Sequence, residues 1–217
     1  MRQLSSFEQE SVYAQGLITL KEVIRQIRRY PKLTFSDFGT RRRFSREWQF
    51  HIDEILAEEL PDQFRGTSCV QSAMNYGLLP MGTNSHQLPM VLAGLAENDG
   101  PEAIRQSQLT VLRQWEEVYG LGLSISLPDT FGSKFFFDLV GEDFARRWKG
   151  TREDSHDPIR YVDELAVPFY QRFGITPKER LTVFSDSLSL EKMIAIHLNV
   201  DPKMGNTFGW GTGLTNN

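Results

Sequence analysis

Short apolar runs alternate with amphipathic helical segments along most of this chain of 217 residues. The apolar runs are KLTFSDF, FRGTSCV, PMGTNSH, LGLSISL, RWKGTRED, LTVFSDS and NTFGWG. The amphipathic segments are residues 45–57, 101–119, 158–173 and 188–197. Strands that are separated by helices are typical of βα units, in which the strands form a parallel sheet. The alternation therefore predicts an α/β fold.

Nearly every predicted strand ends in small or polar residues. They are Asp37 and Gly39, then residues 66–68, 82–85, 124–126 with Asp129, 150–154, 185–187 and 209–213. In a parallel α/β barrel the loops after the strands converge on one mouth, where helix N-termini favour anions. Turn formation or helix capping would explain any single cluster equally well. Seven clusters in register predict a barrel whose functional residues lie at the strand ends.

The chain divides at residue 32 on this pattern. Before that point, apolar residues recur at intervals of three and four, as in an amphipathic helix. They are Leu17, Leu20, Val23, Ile24 and Ile27, within a helical pattern from Leu4 to Tyr30. After that point, the βα alternation continues with no linker or low-complexity tract. We predict a leading helical segment at residues 1–32 and one barrel domain at residues 33–217.

Composition excludes several classes of partner. The net charge is -4 and the pI is about 5.6, so the arginines at 41–43 are a local exception and predict a small anion rather than nucleic acid. No stretch reaches the roughly 18 apolar residues of a membrane span, and the first residues lack the apolar core of a signal peptide. The one cysteine, Cys69, allows no internal disulfide. We expect a cytoplasmic protein without nucleic-acid or membrane partners.

Two clusters in the first half of the chain carry groups suited to anion chemistry. Phe38 precedes the arginine run, and an aromatic face can stack on a heterocycle while guanidinium groups bind carboxylate or phosphate. A solvated surface run is the alternative. His86 follows a predicted strand end, where a histidine either serves a structural role or accepts a phosphoryl group as a nucleophile.

Two clusters in the second half carry carboxylates and glycines. GTREDSHDP places Arg152 among acidic side chains that can bind Mg²⁺ through water or ribose hydroxyls, although Ser155 or Asp157 could simply cap a helix. FSDS and FGWGTG, at 184–187 and 208–213, resemble a split phosphate site, because glycines let backbone N–H groups approach a phosphate. The spacing is not that of a P-loop, and no paired Cys and His set indicates zinc.

Taken in order, SDFGTRRRFSRE, GTS, GTNSH, LPDTFGS, GTREDSHDP, VFSDSL and FGWGTGL resemble the motif series of nicotinate phosphoribosyltransferases. The resemblance spans residues 33–214 and covers only the barrel portion of that family. It implies a type II phosphoribosyltransferase with an atypical, TIM-like α/β barrel, here incomplete. It implies formation of nicotinate mononucleotide and pyrophosphate from nicotinate and phosphoribosyl pyrophosphate, with ATP hydrolysis, in NAD biosynthesis. Mg²⁺ as cofactor, ATP as co-substrate, and a homodimer or complementing chain are implied as well.

The resemblance also assigns roles to residues. His86 matches the phosphorylated histidine, and Arg152 and Asp154 match catalytic contacts to substrate and to ribose or pyrophosphate. Phe38 matches the position that stacks on the pyridine ring, and Ser68 favours the acid over the amide. The remaining matches are to the phosphoribosyl donor, the acidic pocket and the 5′-phosphate loop: Arg41, Asp129, Asp186, Gly209, Gly211 and Gly213. We expect all of these residues to surround one mouth.

Two departures and three alternatives accompany this interpretation. His86 is followed by Gln87 and Leu88 where the family has Glu-Trp, and His156 occupies a glycine position of the family. If that glycine adopts a positive φ, His156 would be strained. The alternatives are a truncated, non-catalytic barrel that binds phosphoribosyl compounds, a split subunit, and a relative that uses nicotinamide or quinolinate.

Overall fold

The computed structural model describes residues 6–216 of the chain. Its α-helices are α1 (Ser6–Ile27), α2 (Arg46–Glu59), α3 (Val70–Tyr76), α4 (Gln87–Leu95), α5 (Pro101–Tyr119), α6 (Ser133–Leu139), α7 (Glu142–Arg147), α8 (Pro158–Arg160), α9 (Val167–Arg172), α10 (Leu190–Val200) and α11 (Thr212–Thr215). A π-helical stretch, Tyr161–Ala166, joins α8 to α9. The strands are β1 (Phe35–Asp37), β2 (Phe64–Thr67), β3 (Ile125–Ser126), β4 (Gly150–Glu153), β5 (Leu181–Phe184) and β6 (Gly205–Trp210).

The chain forms two compact units. The first holds the described residues up to Met81, with Ser187–Ile194 and the described residues from Phe208 onward; the second holds Gly82–Asp186 and Ala195–Thr207. In the first unit β1 pairs in parallel with β2 and with the end of β6. In the second unit β4 pairs in parallel with β3 and β5. The strand order is β2-β1-β6-β5-β4-β3.

The first unit has a core between its strands and two long helices. Phe35 on β1 is fully buried, and its ring lies 5.6 Å from Phe64 and 6.0 Å from Trp210. Helix α2 begins where the Ser45 hydroxyl accepts a hydrogen bond from the Trp48 N–H at 3.0 Å. The buried side of α2 includes Trp48, Ile52 and Leu56 at spacings of four residues. This core fixes the position at which β1 ends.

The second unit is rich in aromatic side chains. Phe137 and Phe169 have ring centroids 4.9 Å apart, and the rings of Phe144 and Trp148 stack at 5.3 Å. Beneath them, the buried Tyr161 hydroxyl donates to the Thr151 hydroxyl on β4 at 2.7 Å. This hydrogen bond joins the aromatic cluster to β4. The residues that follow β4 are therefore presented from a fixed strand end.

The predicted α/β class is confirmed. Strands alternate with helices, and β1, the first strand, pairs with β6, the last, while the others follow in chain order. That order agrees with an incomplete α/β barrel, because in a barrel the first and last strands are neighbours. Six of the seven predicted runs contain strands. The seventh, PMGTNSH, forms only a single parallel bridge, between Thr67 and Pro80, in which the Thr67 N–H donates to the Leu79 carbonyl and the Met81 N–H donates to the Thr67 carbonyl.

The predicted helices also form. The segment 101–119 coincides with α5, and 45–57 and 188–197 correspond to α2 and α10. The leading pattern from Leu4 to Tyr30 corresponds to α1, and its first two residues lie outside the described residues. The segment 158–173 is helical but widens into a π-helix ahead of Pro168, which has no N–H for an i→i−4 bond. Between residues 6 and 216, no helix is long and apolar enough to cross a membrane.

Candidate functional site

The carboxylate at the end of β1 is a centre of hydrogen bonding in the first unit. Asp37 is fully buried, and its Oδ1 accepts from the Gly39 N–H at 2.6 Å. Its Oδ2 accepts from the Thr67 hydroxyl at 2.8 Å and from the Gln49 amide nitrogen. Burial raises the pKa of Asp37 above its ordinary value, and the hydrogen bonds from these three donors offset only part of that rise. Sequence analysis left Asp37 without a specific role.

A second buried carboxyl group lies close to Asp37. Asp53 Oδ2 accepts from the Ser72 hydroxyl at 2.6 Å, and its Oδ1 has no hydrogen-bond partner among the described residues. Burial, together with the charge of Asp37, raises the pKa of Asp53 to about 7. Two carboxyl groups that repel in this way titrate as a pair.

The residues after β1, 38–43, are called the β1 loop here. The half-buried ring of Phe38 lies on the backbone of Gly209, where an added Cβ would come within 2.4 Å of the ring. The Phe38 N–H donates to the carbonyl of Trp210 at 2.8 Å. Glycine at 209 is therefore required for the ring to lie flat on β6. This arrangement holds Phe38 as a fixed aromatic surface.

The three arginines of the β1 loop have different surroundings. Arg41 and Arg42 are exposed in a single 3₁₀ turn, and neither side chain has a hydrogen bond or ion pair within the described part of the chain. Arg43 is half-buried and donates to the Gln49 side-chain oxygen at 2.8 Å and to Cys69 Sγ at 3.8 Å. Two guanidinium groups thus remain available to an anion, while the third anchors the loop.

Ser68 and the glycine loop lie in the same unit. The Ser68 hydroxyl is 2.9 Å from the Thr40 hydroxyl, and its N–H donates to the Asp37 carbonyl at 2.7 Å. Gly211 has space for a Cβ, whose nearest neighbour would be the Phe38 carbonyl oxygen at 3.4 Å. At Gly213 a Cβ would meet the Trp210 indole nitrogen at 2.7 Å. Gly213 is therefore also required by packing.

The second unit brings His86, Asp129 and Ser155 together. His86 Nε2 lies 3.0 Å from Asp129 Oδ1, and Asp129 Oδ2 accepts from the Ser155 hydroxyl at 2.6 Å. The Asp129 side chain is only 5% exposed, whereas that of His86 is 41% exposed. A buried carboxylate thus holds one nitrogen of an accessible imidazole. Of the predicted acidic pocket residues, Asp129 is the one in contact with His86.

Arg152 lies in a polar network at the end of β4. Its guanidinium donates to Ser185 at 2.6 Å, to Thr83 at 3.1 Å and to Asp154 Oδ1 at 2.8 Å. The Ser185 hydroxyl also bonds Asp154 Oδ1, at 2.6 Å. Arg152 and Asp154 are about four-fifths buried, so the pair is fixed by side chains of three segments. Arg152 and Asp154 are thus paired with each other, and the contacts to substrate that the resemblance assigns to them stay predictions.

Glu153 supports the turn that follows β4. It is 2% exposed, and its Oε1 accepts from the N–H groups of Ser155, at 2.8 Å, and of His156. Burial raises the pKa of Glu153 to about 7, and the charges of Asp154 and Asp186 add to this. His156 itself is exposed and does not have a positive φ. The backbone strain that would accompany a side chain at that position is therefore not present.

The described residues were compared with the ligand sets that bind metal ions. Within residues 6–216, no three or more His, Cys, Asp or Glu side chains are grouped so as to hold a metal ion. Mg²⁺ commonly binds through one or two carboxylates together with substrate phosphates. The carboxylates present do not by themselves form a Mg²⁺ site, so we assign no protein ligand to that ion.

The predicted site residues divide between the two units. Phe38, Arg41, Ser68, Gly209, Gly211 and Gly213 belong to the first unit, and His86, Asp129, Arg152, Asp154 and Asp186 to the second. Within each unit, most of them contact one another or share a partner. That all of them surround one mouth stays a prediction. Sequence reasoning missed the buried Gln49 and Asp53, and it placed Glu153 only among the acidic side chains of GTREDSHDP.

Comparisons with known proteins identify a family for this chain. The model of the nicotinate phosphoribosyltransferase (NAPRTase) family matches residues 33–217. A nicotinate phosphoribosyltransferase structure from Porphyromonas gingivalis matches with a TM-score of 0.83 and 29% identity, over 93% of this chain and 51% of that one. The enzyme from Vibrio cholerae matches with a TM-score of 0.83 and 30% identity, over 94% and 48%.

A third match is a putative nicotinate phosphoribosyltransferase from Saccharomyces cerevisiae. Its TM-score is 0.79 at 27% identity, over 94% of this chain and 49% of that one. The chain therefore spans about half the length of the structures that it matches. The shared half contains the strand ends described above.

Proposed function

Because the chain belongs to the nicotinate phosphoribosyltransferase family, we propose that it takes part in forming nicotinate mononucleotide and pyrophosphate from nicotinate and phosphoribosyl pyrophosphate, coupled to ATP hydrolysis. The observation that carries the proposal is the contact of His86 with the buried carboxylate of Asp129. A histidine oriented in this way is suited to accept a phosphoryl group, which the energy coupling requires. The product serves NAD biosynthesis, in the cytoplasm.

The geometry at His86 indicates which nitrogen reacts. The Asp129 carboxylate can only accept, so Nε2 carries the hydrogen and Nδ1 keeps its lone pair. We therefore assign Nδ1 as the nucleophile toward the γ-phosphorus of ATP, with ADP as the leaving group. The phosphorylated ring keeps its Nε2 proton and becomes cationic, and the charge of Asp129 stabilises that cation. Ser155 holds the other carboxylate oxygen in place.

The residues of the first unit suit the pyridine substrate and the donor. Phe38 offers an aromatic face to the nicotinate ring, and the Ser68 hydroxyl offers a donor to its carboxylate. The exposed guanidinium of Arg41 can bind phosphate oxygens of the phosphoribosyl group bidentately. A hydroxyl at 68 favours an acid over an amide substrate, which argues against nicotinamide.

In the second unit, Arg152 supplies positive charge for the displacement of pyrophosphate by nicotinate. When the ring nitrogen attacks the anomeric carbon, the bond to pyrophosphate breaks and the ribose becomes oxocarbenium-like, with negative charge developing on the leaving group. Arg152 is already fixed by Ser185, Thr83 and Asp154, so it can meet that charge without reorganisation. We assign Asp154, which Arg152 and Ser185 hold through Oδ1, to the ribose hydroxyls. Mg²⁺, when bound with the donor, would neutralise phosphate charge.

A product assay tests this proposal. The 217-residue chain is incubated with nicotinate, phosphoribosyl pyrophosphate, ATP and Mg²⁺, and nicotinate mononucleotide is measured by chromatography. We expect product whose formation is lost in His86→Asn. If no product forms with ATP at any chain concentration, while calorimetry detects donor binding, the chain is not an enzyme by itself.

A second candidate is a phosphoribosyl-binding subunit that needs a complementing chain. The observation that favours it is that the chain spans about half the length of its structural relatives. In that case the donor binds and turnover requires a second copy or another polypeptide. Light scattering at increasing concentration measures self-association, and a rise in specific activity with concentration would identify a homodimer as the active form.

A further inference from the structure

We propose that Asp37 and Gln49 are positioning residues, whose paired side chains fix the β1 loop (residues 38–43) so that Phe38 and Arg41 meet their ligands. The inference deepens the proposed function and rests on it for the identity of those ligands, nicotinate and the phosphoribosyl donor. Its basis is a continuous chain of hydrogen bonds inside the first unit. Neither residue is assigned to contact substrate.

The chain of hydrogen bonds has a fixed direction. Asp37 accepts from the Gln49 amide nitrogen, and the Gln49 oxygen in turn accepts from Arg43 at 2.8 Å. The same amide nitrogen donates to the Thr40 hydroxyl at 3.0 Å. Reversing the amide would set its oxygen against a carboxylate and its nitrogen against a guanidinium. Because both contacts would be repulsive, the orientation of Gln49 has only one satisfied state.

These bonds hold both ends of the β1 loop. At the start, Asp37 accepts from the Gly39 N–H at 2.6 Å, and at the end, Arg43 is held through Gln49. Between the two ends, the side chains of Arg41 and Arg42 are exposed and without partners among the described residues. Thr40, which is bonded to Gln49, also contacts the Ser68 hydroxyl at 2.9 Å. The loop is thus rigid at its ends and open in the middle.

The rigidity of the β1 loop matters because Phe38 and Arg41 can bind their ligands only when the loop holds them in the correct position. A displacement of about 1 Å remote from the reacting atoms can cost about a hundredfold in rate. Gln49 is fully buried on α2, a helix that the core fixes through Trp48 and Ile52. The position of the loop is therefore set by a regular element rather than by the loop itself.

A reversal of donors and acceptors tests the proposal. Asp37→Asn turns one acceptor into a donor that faces the Gln49 amide, and Gln49→Glu sets a second carboxylate against Asp37. The double variant Asp37→Asn/Gln49→Glu restores the pairing, because the new asparagine can donate to the new carboxylate on α2, which also pairs with Arg43. Each variant is measured for amide hydrogen exchange in residues 38–44 and for calorimetric binding of phosphoribosyl pyrophosphate with Mg²⁺.

We expect each single variant to speed exchange of the loop at least about tenfold and to weaken donor binding by about the same factor. The double variant should return both to within about threefold of wild type. Gln63→Leu is the matched control, because it removes two hydrogen bonds elsewhere in the same unit, a buried one to the carbonyl of Ile27 and a partly buried one to that of Tyr30. It should lower the unfolding temperature and leave loop exchange and binding unchanged.

Two results would overturn the proposal. One is unchanged loop exchange in both single variants; the other is a double variant no better than either single one. If the single variants fail to fold, recovery of the fold, the exchange pattern and binding in the double variant still supports the pairing. If wild type does not bind the donor, the proposed function fails, while the exchange data still decide whether Asp37 and Gln49 hold the loop.

Discussion

The imidazole of His86 and the carboxylate of Asp129 lie 3.0 Å apart, with the aspartate almost wholly buried and the histidine accessible. The second carboxylate oxygen is occupied by Ser155, so Asp129 cannot rotate without losing a hydrogen bond. With Nε2 held by Asp129, Nδ1 is the nitrogen that the proposed phosphoryl transfer would use.

Replacing Asp129 with asparagine should slow labelling of the chain by γ-phosphate-labelled ATP at least about tenfold, and His86→Asn should abolish it. The amide cannot stabilise a cationic phosphorylated ring, and it can select the other tautomer of His86. Labelling is measured on the intact protein at neutral pH, because phosphohistidine is lost in acid. His51→Asn, at an exposed histidine of α2, is the control and should label as wild type does. Labelling that survives in His86→Asn would contradict the assignment.

The two exposed arginines of the β1 loop allow a paired test. Arg41→Ala should weaken binding of phosphoribosyl pyrophosphate by roughly tenfold to a hundredfold, the usual effect of losing a charge-assisted hydrogen bond. Arg42→Ala has the same charge change in the same turn and should weaken it less than about threefold. Calorimetry at two salt concentrations separates the effects, since a purely long-range contribution is screened by salt. Equal losses in both variants would mean that the turn attracts anions without a specific contact.

Much of the fold was predictable because the periodicity of the helices is strong. The pattern at 101–119 matches α5 residue for residue, and six predicted runs contain strands. The run PMGTNSH forms only a single bridge, and the π-helix before Pro168 was missed because a local backbone adjustment leaves no periodic signal. Local sequence is therefore a good guide to which helices and strands form. It is a poorer guide to where a helix or strand is interrupted.

The candidate site was predicted only in part. Solvent-accessible groups such as Arg41 and His86 lie in polar clusters that follow apolar runs, and these clusters are visible in the sequence. Gln49 and Asp53 are buried on α2 beside Trp48, Ile52 and Leu56. In the sequence each follows an apolar residue of the buried face by one position, where a polar side chain is expected to be exposed to solvent. Their spacing of four residues, in phase with that face, was the available signal. Which buried partner satisfies them depends on tertiary packing, and no local pattern contains it.

The ring of Phe38 and the backbone of Gly209 make a steric prediction. In Gly209→Ala the new Cβ would lie 2.4 Å from the ring, so the ring must move from β6. We expect a loss of about 1–3 kcal/mol in unfolding free energy, typical of overpacking, and weaker binding of nicotinate. Gly122→Ala is the control, because its Cβ would have no neighbour within 4 Å. Nicotinate affinity that is unchanged in Gly209→Ala would remove Phe38 from the binding site.

The last prediction concerns Glu153, whose burial makes stability depend on pH. In the unfolded chain this carboxyl group titrates near its ordinary value of 4.5, whereas in the folded chain burial raises its pKa to about 7. Below about pH 4.5 Glu153 is protonated in both the folded and the unfolded chain, so it does not make the free energy of unfolding depend on pH there. As pH rises from about 4.5 to about 7, the unfolded state releases its proton first, and folding stability falls by about 3 kcal/mol.

Glu153→Gln removes this titration and keeps an oxygen that can accept from the Ser155 and His156 N–H groups. The free energy of unfolding of the variant, relative to wild type, should therefore rise between about pH 4.5 and pH 7 and stay level above it. Asp53 shifts in the same direction but is present in both proteins, so its contribution cancels. Urea unfolding at several pH values measures the difference, with Glu58→Gln, at an exposed glutamate, as the control for loss of one charge. A difference that does not change with pH would mean that Glu153 is hydrated in the folded protein, and that the turn carrying Asp154 and Ser155 opens to water.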